Sequence, residues 1–379
     1  MSSYQKTLDN YQSQGRLRAL RTLPQAGSKI VIDGKECLNF SSNDYLSLSQ
    51  DPRVKEASAE ATLKWGTSAA ASRLVTGDLD IHYALEQELA QYLRQESALV
   101  FGSGFLTNLG VLTALAGRND QIFSDKLNHA SLIDGAQQSR ADVFRYKHND
   151  VQDLKRLIEQ NPTSGERIIV TESVFSMDGD RAPLEEIIKV TNQADAILVV
   201  DEAHAIGVFG PGLFSNIEEK PKRLLIVGTL SKSFGSYGGF VACSSELRSY
   251  LINTARSFIY STGLPPGSCG AALASLSIMK AEPRLGEQLI SRAKLFHLAL
   301  SKFCELLLPF ESQIIPVIVN DNFKSVELAQ SLYKKGIICS AIRPPTVPEN
   351  TARLRLSVNL AHTEEQLLRV ADEIGRLLG

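Results

Sequence analysis

The chain has 379 residues, 43% of them hydrophobic and 22% charged, which is apolar mass enough for more than one core, so two or three domains are expected. A formal net charge of -2 and a pI near 6.3 exclude the basic field that nucleic acid or an anionic membrane would need, and leave a small-molecule substrate as the expectation. The five cysteines, at 37, 243, 269, 304 and 339, lack C-x-x-C spacing and read as buried reduced thiols. No apolar run reaches the ~18 residues of a membrane helix and no signal-peptide core opens the chain, so a cytoplasmic protein is expected. No metal site and no internal repeat are expected either.

Residues 3 to 20 carry a helical stripe of Tyr4, Leu8, Tyr11, Leu17 and Leu20, with Arg18 and Arg21 just before Pro24. A hairpin about Asp33-Gly34 follows, since that pair favours the tight turn between two short strands. Ser42-Asn43-Asp-Tyr-Leu46 leads into a helix opened by Asp51-Pro52, and residues 1–50 read as an amino-terminal arm. The small residues from Gly66 to Gly77 suggest close backbone approach ahead of a helix over Tyr83 to Leu93. Next, a strand over Ser97 to Phe101 turns through Gly102-Ser-Gly104-Phe105 into a helix. A glycine-rich turn at a helix start offers amide groups and the positive dipole end to a phosphate. Without the third glycine of the dinucleotide fingerprint, it suits a single phosphate.

Strands and helices then alternate: strands at Gln121 to Phe123, Val143 to Tyr146 and Arg167 to Thr171, helices from about Ala130, from Val151 and after Pro183. Two more fully apolar runs, Ala196 to Val200 and Leu224 to Val227, read as strands covered on both faces of a parallel sheet. Ligands of such sheets sit outside the strands' carboxyl ends. Asp201 and His204 follow the first run, and Lys232 follows the second among small and hydroxylated residues. Desolvation there lowers a lysine pKa and frees the amine for attack on a carbonyl, whereas on the surface the same lysine keeps its hydration. An acid, an imidazole and an amine at one sheet edge fit pyridoxal phosphate, with the lysine forming the Schiff base and the acid keeping the pyridine nitrogen protonated. The Asp-Glu-Ala-His stretch also matches a helicase box, but no G-x-x-x-x-G-K-[ST] loop accompanies it. His129, Glu172 and Ser176 occupy loops of the same sheet, His129 where its ring could stack on a pyridine.

After Gly270 the pattern changes to long helices, Ala271 to Ala281 and Gly286 to Leu307. A strand at Ile314 to Val319, a helix at Lys324 to Lys335, strands at Ile337 to Ser340 and Ala352 to Val358, and a helix at Glu364 to Leu378 complete a second, α+β domain. The predicted divisions are an arm at 1–50, a large cofactor domain at 51–282 and a small domain at 283–379. Arg353 and Arg355 fall on one face of a strand, as edge-strand surface charges or as a fork for a carboxylate.

Together these stretches resemble the α-oxoamine synthases, fold-type-I pyridoxal-phosphate enzymes that condense an amino acid with an acyl thioester and release CO2. The resemblance runs from Ser42-Asn-Asp-Tyr-Leu46 through Asp-Glu-Ala-His204 and Thr-x-x-Lys232 to Tyr260-Ser-Thr-Gly-Leu-Pro-Pro266. It is most specific in Ala341-Ile-Arg-Pro-Pro-Thr-Val-Pro348 and Thr351-Ala-Arg-Leu-Arg-Leu356, which are similar to the biotin-pathway branch. What the resemblance implies is an α/β large domain with a mostly parallel sheet and a smaller α+β domain, working as a homodimer. Lys232 would be the Schiff-base lysine and Asp201 the pyridinium partner; His204 would bond the ring hydroxyl, His129 would stack on the ring, and Glu172 and Ser176 would be polar neighbours. Gly104, Phe105 and Thr229 would hold the phosphate, with Thr262 reaching it from the other subunit. Arg355 and Asn43 would bind the amino acid, and Arg18 or Arg21 the acyl carboxylate. The implied substrates are L-alanine and a pimeloyl thioester, on coenzyme A or an acyl carrier protein; glycine with acetyl-CoA is the alternative. Where the family usually has Gly-Ser-Gly-Gly-Ser this chain has Ser68-Ala-Ala-Ala-Ser72, so left-handed backbone at 68, 70 or 71 would fall on a residue with a Cβ. Ser231 replaces the usual glycine before the lysine.

Overall fold

The computed structural model describes residues 2–304, 306 and 309–378. It divides into two compact units, one of residues 48–175 and 181–286, the other of residues 1–47, 176–180 and 287–379. The amino-terminal stretch therefore counts with the carboxyl-terminal unit.

Helix α1 (Ser3–Ser13) is capped by Ser2, whose side chain accepts from the Gln5 amide. It ends seven residues short of the predicted stripe, because Gly15 turns the chain at φ 65° and leaves Leu20 in solvent. Strands β1 (Lys29–Ile32) and β2 (Lys35–Asn39) form the predicted antiparallel hairpin; Asp33 and Gly34 both take positive φ, as a two-residue turn of the right twist requires. The larger unit opens with α2 (Pro52–Trp65), where Asp51 caps and Pro52 takes the first helical position. There follow α3 (Asp80–Tyr92), β3 (Ser97–Phe101), α4 (Gly104–Leu115), β4 (Gln121–Asp125), α5 (Ala130–Gln138), β5 (Asp142–Tyr146), α6 (Val151–Gln160), β6 (Arg167–Glu172), α7 (Leu184–Gln193), β7 (Ile197–Asp201) and β8 (Leu224–Thr229). Strand β9 (Gly239–Cys243), α8 (Ser245–Thr254), α9 (Arg256–Ile259) and α10 (Pro266–Ala281) complete its elements up to α11 (Leu285–Leu300). The predicted end of that last helix, Leu307, lies outside the described residues.

Seven strands make one sheet in the order β3-β9-β8-β7-β6-β4-β5. All neighbours are parallel except β9, which runs antiparallel to both β3 and β8. The connection from β4 leads outward to β5, whereas the chain then returns to β6 on the other side of β4. The order reverses there, which opens a crevice at the carboxyl ends. One face of the sheet buries alternate residues, Ile168 and Val170, Ile197 and Val199, Leu225 and Val227, against Val111 and Leu112 of α4 and Leu132 of α5. The intervening Ile169, Leu198 and Val200 are buried too, which is why these runs show no polar alternation.

In the smaller unit β10 (Ile314–Ile318) is followed by α12 (Asn322–Lys334), β11 (Ile337–Ile338), β12 (Ser340–Ile342), β13 (Arg353–Ser357) and α13 (Glu364–Leu378). Strand β13 lies between β10 and β12, antiparallel to each, and β11 joins the hairpin beside β2. As the central strand of its sheet, β13 cannot present Arg353 and Arg355 as edge-strand surface charges, and both are buried. No described helix is long and apolar enough to cross a membrane.

Candidate active site

Four parallel strands deliver the larger unit's candidate residues to one edge. His129 caps α5 four residues after β4, Glu172 ends β6, Asp201 ends β7, and Lys232 follows β8 by three residues. Register makes Glu172 and Asp201 direct neighbours across β6 and β7. Lys232 Nζ lies 2.8 Å from His204 Nε2, so the amine and the imidazole predicted to converge do so. Asp201 is buried and accepts from Asn108 Nδ2 at 2.7 Å and from the Ala203 amide at 2.9 Å. Two donors on a carboxylate fix its plane.

His129 is fixed by neighbours rather than left free. Its Nδ1 is 2.7 Å from Ser131 Oγ, and its backbone amide donates to Glu172 Oε1 at 2.6 Å. Burial lowers the imidazole below its ordinary value, an effect that Asp201 opposes and Lys232 reinforces. The ring is thus held neutral, suited to stacking rather than to carrying charge. Burial pushes the Glu172 carboxyl well above the usual range, and the facing Asp201 charge adds to the shift. Two adjacent buried carboxyls share this edge, and burial favours the protonated form of Glu172.

At the start of α4, Ser103 caps the helix by accepting from the Leu106 amide at 3.2 Å, which leaves the first amides, Gly104 and Phe105, at the helix mouth. A Cβ on Gly104 would come within 3.2 Å of Thr229 Cβ, so the helix start and the Thr229 hydroxyl share one corner. That hydroxyl is 2.8 Å from Ser231 Oγ, so the serine that stands where the family has glycine adds a third hydroxyl-or-amide group there. A helix amino terminus flanked by two hydroxyls suits a phosphate. Thr262 pairs with Ser72 in an isolated β-bridge within the same unit.

Asn108 was missed by the sequence reading. It stands one helical turn beyond Gly104 on α4, bonds both Asp201 and Ser131, and its Oδ1 is buried without a partner. The spacing of four from the glycine of the turn was the available signal, since it puts both residues on one helix face.

In the smaller unit, the two arginines of β13 differ in their partners. Arg353 pairs with Asp178 and donates to Thr351 O. Arg355, 6% exposed, donates to Ser176 O at 2.6 Å, Ser357 Oγ at 2.8 Å and Asn43 Oδ1 at 3.2 Å. No carboxylate pairs with it among the described residues. A buried guanidinium satisfied by neutral acceptors is one that a ligand carboxylate can still neutralise. Ser176 enters this unit through its carbonyl oxygen. Arg18 donates to Thr346 Oγ1 at 2.9 Å, and Arg21 lies over the Tyr333 ring at 3.9 Å. Arg343, which donates to Gly15 O, is a third guanidinium in this neighbourhood, lowered by burial and further by Arg18.

The class I and II aminotransferase family model matches residues 35–374. The chain is 44% identical over 369 residues to a putative 8-amino-7-oxononanoate synthase of Geobacillus kaustophilus, covering 96% of this chain and 95% of that one. It is 41% identical over 378 residues to the 8-amino-7-oxononanoate synthase of Lysinibacillus sphaericus, covering 99% and 97%. Among solved structures, a serine palmitoyltransferase variant of S. paucimobilis with bound pyridoxal phosphate and myriocin superposes with a TM-score of 0.92 at 29% identity, covering 99% of this chain and 96% of that one. The residues at the sheet edge fit that cofactor: a carboxylate fixed by two donors, a neutral imidazole, an amine, and a phosphate corner at a helix start. On this geometry and on matches that span nearly its whole length, the chain belongs to the class I and II aminotransferase family of pyridoxal-phosphate-dependent enzymes, in its α-oxoamine synthase branch.

Proposed function

We propose that the protein condenses L-alanine with a pimeloyl thioester, carried on coenzyme A or an acyl carrier protein, to give 8-amino-7-oxononanoate, CO2 and the free thiol in biotin biosynthesis. The observation that carries the chemistry is the Lys232 amine 2.8 Å from His204 at the strand ends that also hold Asp201. The choice of substrates is supported by the names of relatives at 41 to 44% identity.

Pyridoxal phosphate, when bound, supplies a sink for the electron pair left on the amino-acid α-carbon. Lys232 takes the α-proton as general base, with His204 beside it holding the amine. Asp201, oriented by Asn108, keeps the pyridine nitrogen protonated, and His129 packs its neutral ring on the cofactor. The amides of Gly104 and Phe105 and the Thr229 hydroxyl hold the phosphate, and Glu172 and Ser176 complete the polar surroundings; Thr262 serves the phosphate of the partner copy in a homodimer. Arg355, backed by Asn43, takes the alanine carboxylate. The α-carbon attacks the thioester carbonyl and the thiol leaves; the carboxylate then departs as CO2 and Lys232 returns the proton. Of the two amino-terminal guanidiniums we assign the pimeloyl carboxylate to Arg21, because stacking on Tyr333 leaves its edge donors available, whereas Arg18 already serves Thr346.

Borohydride reduction should fix cofactor on the peptide that contains Lys232 in the wild type and on no peptide of Lys232→Ala. Carboxyl-labelled amino acid should release CO2 fastest with alanine plus pimeloyl-CoA. Faster release from glycine plus acetyl-CoA, or from serine plus palmitoyl-CoA, overturns the substrate assignment. Arg355→Ala should weaken alanine binding on the order of a hundredfold, as loss of a desolvated charge pair does. A larger effect from Arg353→Ala reverses the choice of arginine.

A further inference from the structure

Glu202 follows Asp201 directly and is completely buried. Its Oε1 accepts the Phe214 amide at 2.9 Å, while its backbone carbonyl accepts the amides of Ala205 at 2.9 Å and Ile206 at 3.0 Å. One residue thus closes both ends of the loop that runs from 203 to 214. That loop contains His204, the partner of Lys232, and Gly207, where a Cβ would lie 2.6 Å from Ser233 Cβ, the residue after Lys232. Gly212, at φ 110°, passes its backbone so close over Glu202 Oε2 that a side chain there would overlap the oxygen. The carboxyl is enclosed by the loop it closes.

No partner lies within ordinary hydrogen-bond distance of Oε2 or of the Ser173 hydroxyl, but that hydroxyl is the polar group that faces the carboxyl and acts on it as a weak donor. An ionised carboxylate in this place would have the Phe214 amide and the Ser173 hydroxyl as donors, against complete burial and the Asp201 charge beside it. A neutral acid instead has a proton to offer the serine. Burial accordingly pushes Glu202 up to about 7, with the Phe214 amide and Ser173 opposing, Asp201 adding and Lys220 opposing. Lys220, the cation facing it, donates to Phe214 O and lies over the Phe214 ring at 4.5 Å, so it holds the same end of the loop; burial lowers Lys220, with Glu202 opposing and Arg94 adding.

We propose that Glu202 is a positioning residue of the reaction: as a neutral acid it clamps the 203–214 loop and so fixes His204 against the Lys232 amine, and its ionisation releases that clamp. The proposal rests on Lys232 being the reacting amine. It also gives the sign of the pH effect. A carboxyl raised in the folded state stabilises the fold below its unfolded value of about 4.5, and that contribution is lost as pH rises through about 7.

The test uses holoenzyme. The visible cofactor band and the melting temperature are followed from pH ~5.5 to ~8.5 in wild type, Glu202→Gln and Ser173→Ala. Wild type should show a spectral change centred near 7 and a melting temperature that falls with rising pH and levels off above about 7. Glu202→Gln, which keeps an acceptor for Phe214 and a donor for Ser173 but cannot ionise, should lose that change and retain the low-pH spectrum throughout. Ser173→Ala removes a hydroxyl that opposes the upward shift and should move the midpoint to higher pH, which keeps the proposal testable if the Gln variant does not fold. A Glu202→Gln profile that follows wild type, or a Ser173→Ala midpoint that stays in place, overturns it. Failure of borohydride labelling at Lys232 would remove the reading of the amine without altering the pH dependence of melting, which reports the clamp alone.

Discussion

Ala70 takes φ 61°, a left-handed conformation that a residue with a Cβ occupies at a cost of about 1 kcal/mol. It stands in the loop where the family usually has glycines. Of the three positions at which left-handed backbone was in question, 68, 70 and 71, only Ala70 shows it. The loop keeps its path without glycine because Ser68 Oγ accepts the Ala70 amide at 3.0 Å and Ala71 donates back to Ala69 O at 2.8 Å. Ala70→Gly should therefore stabilise the protein by up to about 1 kcal/mol, offset in part by the greater freedom of glycine when unfolded. Equilibrium unfolding in urea checks it, the expected outcome being a higher midpoint at unchanged slope. The same residue marks a limit of reading sequence alone: a missing glycine says that strain falls on this loop, but only the backbone shows where.

Apolar strands are legible because a doubly covered sheet leaves them no polar residue, and β6, β7 and β8 were visible for that reason. Strand β9 was not, although its five residues are all buried. It begins inside the glycine-rich stretch after Lys232, and glycine is a poor strand former, so the stretch reads as a loop until its end. The reason for those glycines is contact: a Cβ on Gly239 would fall 2.4 Å from the Gly104 amide nitrogen, at the helix start proposed to hold the phosphate. Gly239→Ala should push β9 off the start of α4 and weaken pyridoxal phosphate by tenfold or more, measured by titrating cofactor into dialysed enzyme. Affinity within twofold of wild type would show that α4 can shift to absorb the methyl group. Asp201 was legible at the end of an apolar run and Lys232 shortly after another, whereas Asn108 was not, since its spacing from Gly104 puts both on one helix face without saying that this face meets a strand end.

Across the molecule, buried ionisable groups set opposing pH limbs. His362, wholly buried and stacked on Phe40 at 4.2 Å, is lowered by burial to about 3. Its folded value is depressed, so its contribution to stability is present above about 6.5 and is lost as pH falls toward 3. Glu172 and Glu202 are raised and act in the opposite sense, losing their contribution as pH rises, for Glu202 through about 7. Thermal melts across pH should give a maximum with both limbs falling. His362→Phe, which keeps the stack on Phe40 and cannot charge, should flatten the acid limb on the order of several kcal/mol while leaving the other unchanged. An acid limb that persists in this variant would assign it to other groups. The two-unit division was only partly legible, because residues 176–180 leave the larger unit and return to it within five residues, too short a detour to alter composition.

Arg355 meets neutral acceptors within its own unit, and this bears on the direction in which turnover runs. On the proposed assignment of the guanidinium to the alanine carboxylate, loss of CO2 deletes the group that it would hold. The amino ketone then has no charge to offer in its place, while the next alanine does. Exchange of product for substrate is driven at that step by the reaction's own gas, and rising alanine should speed product departure rather than compete with it.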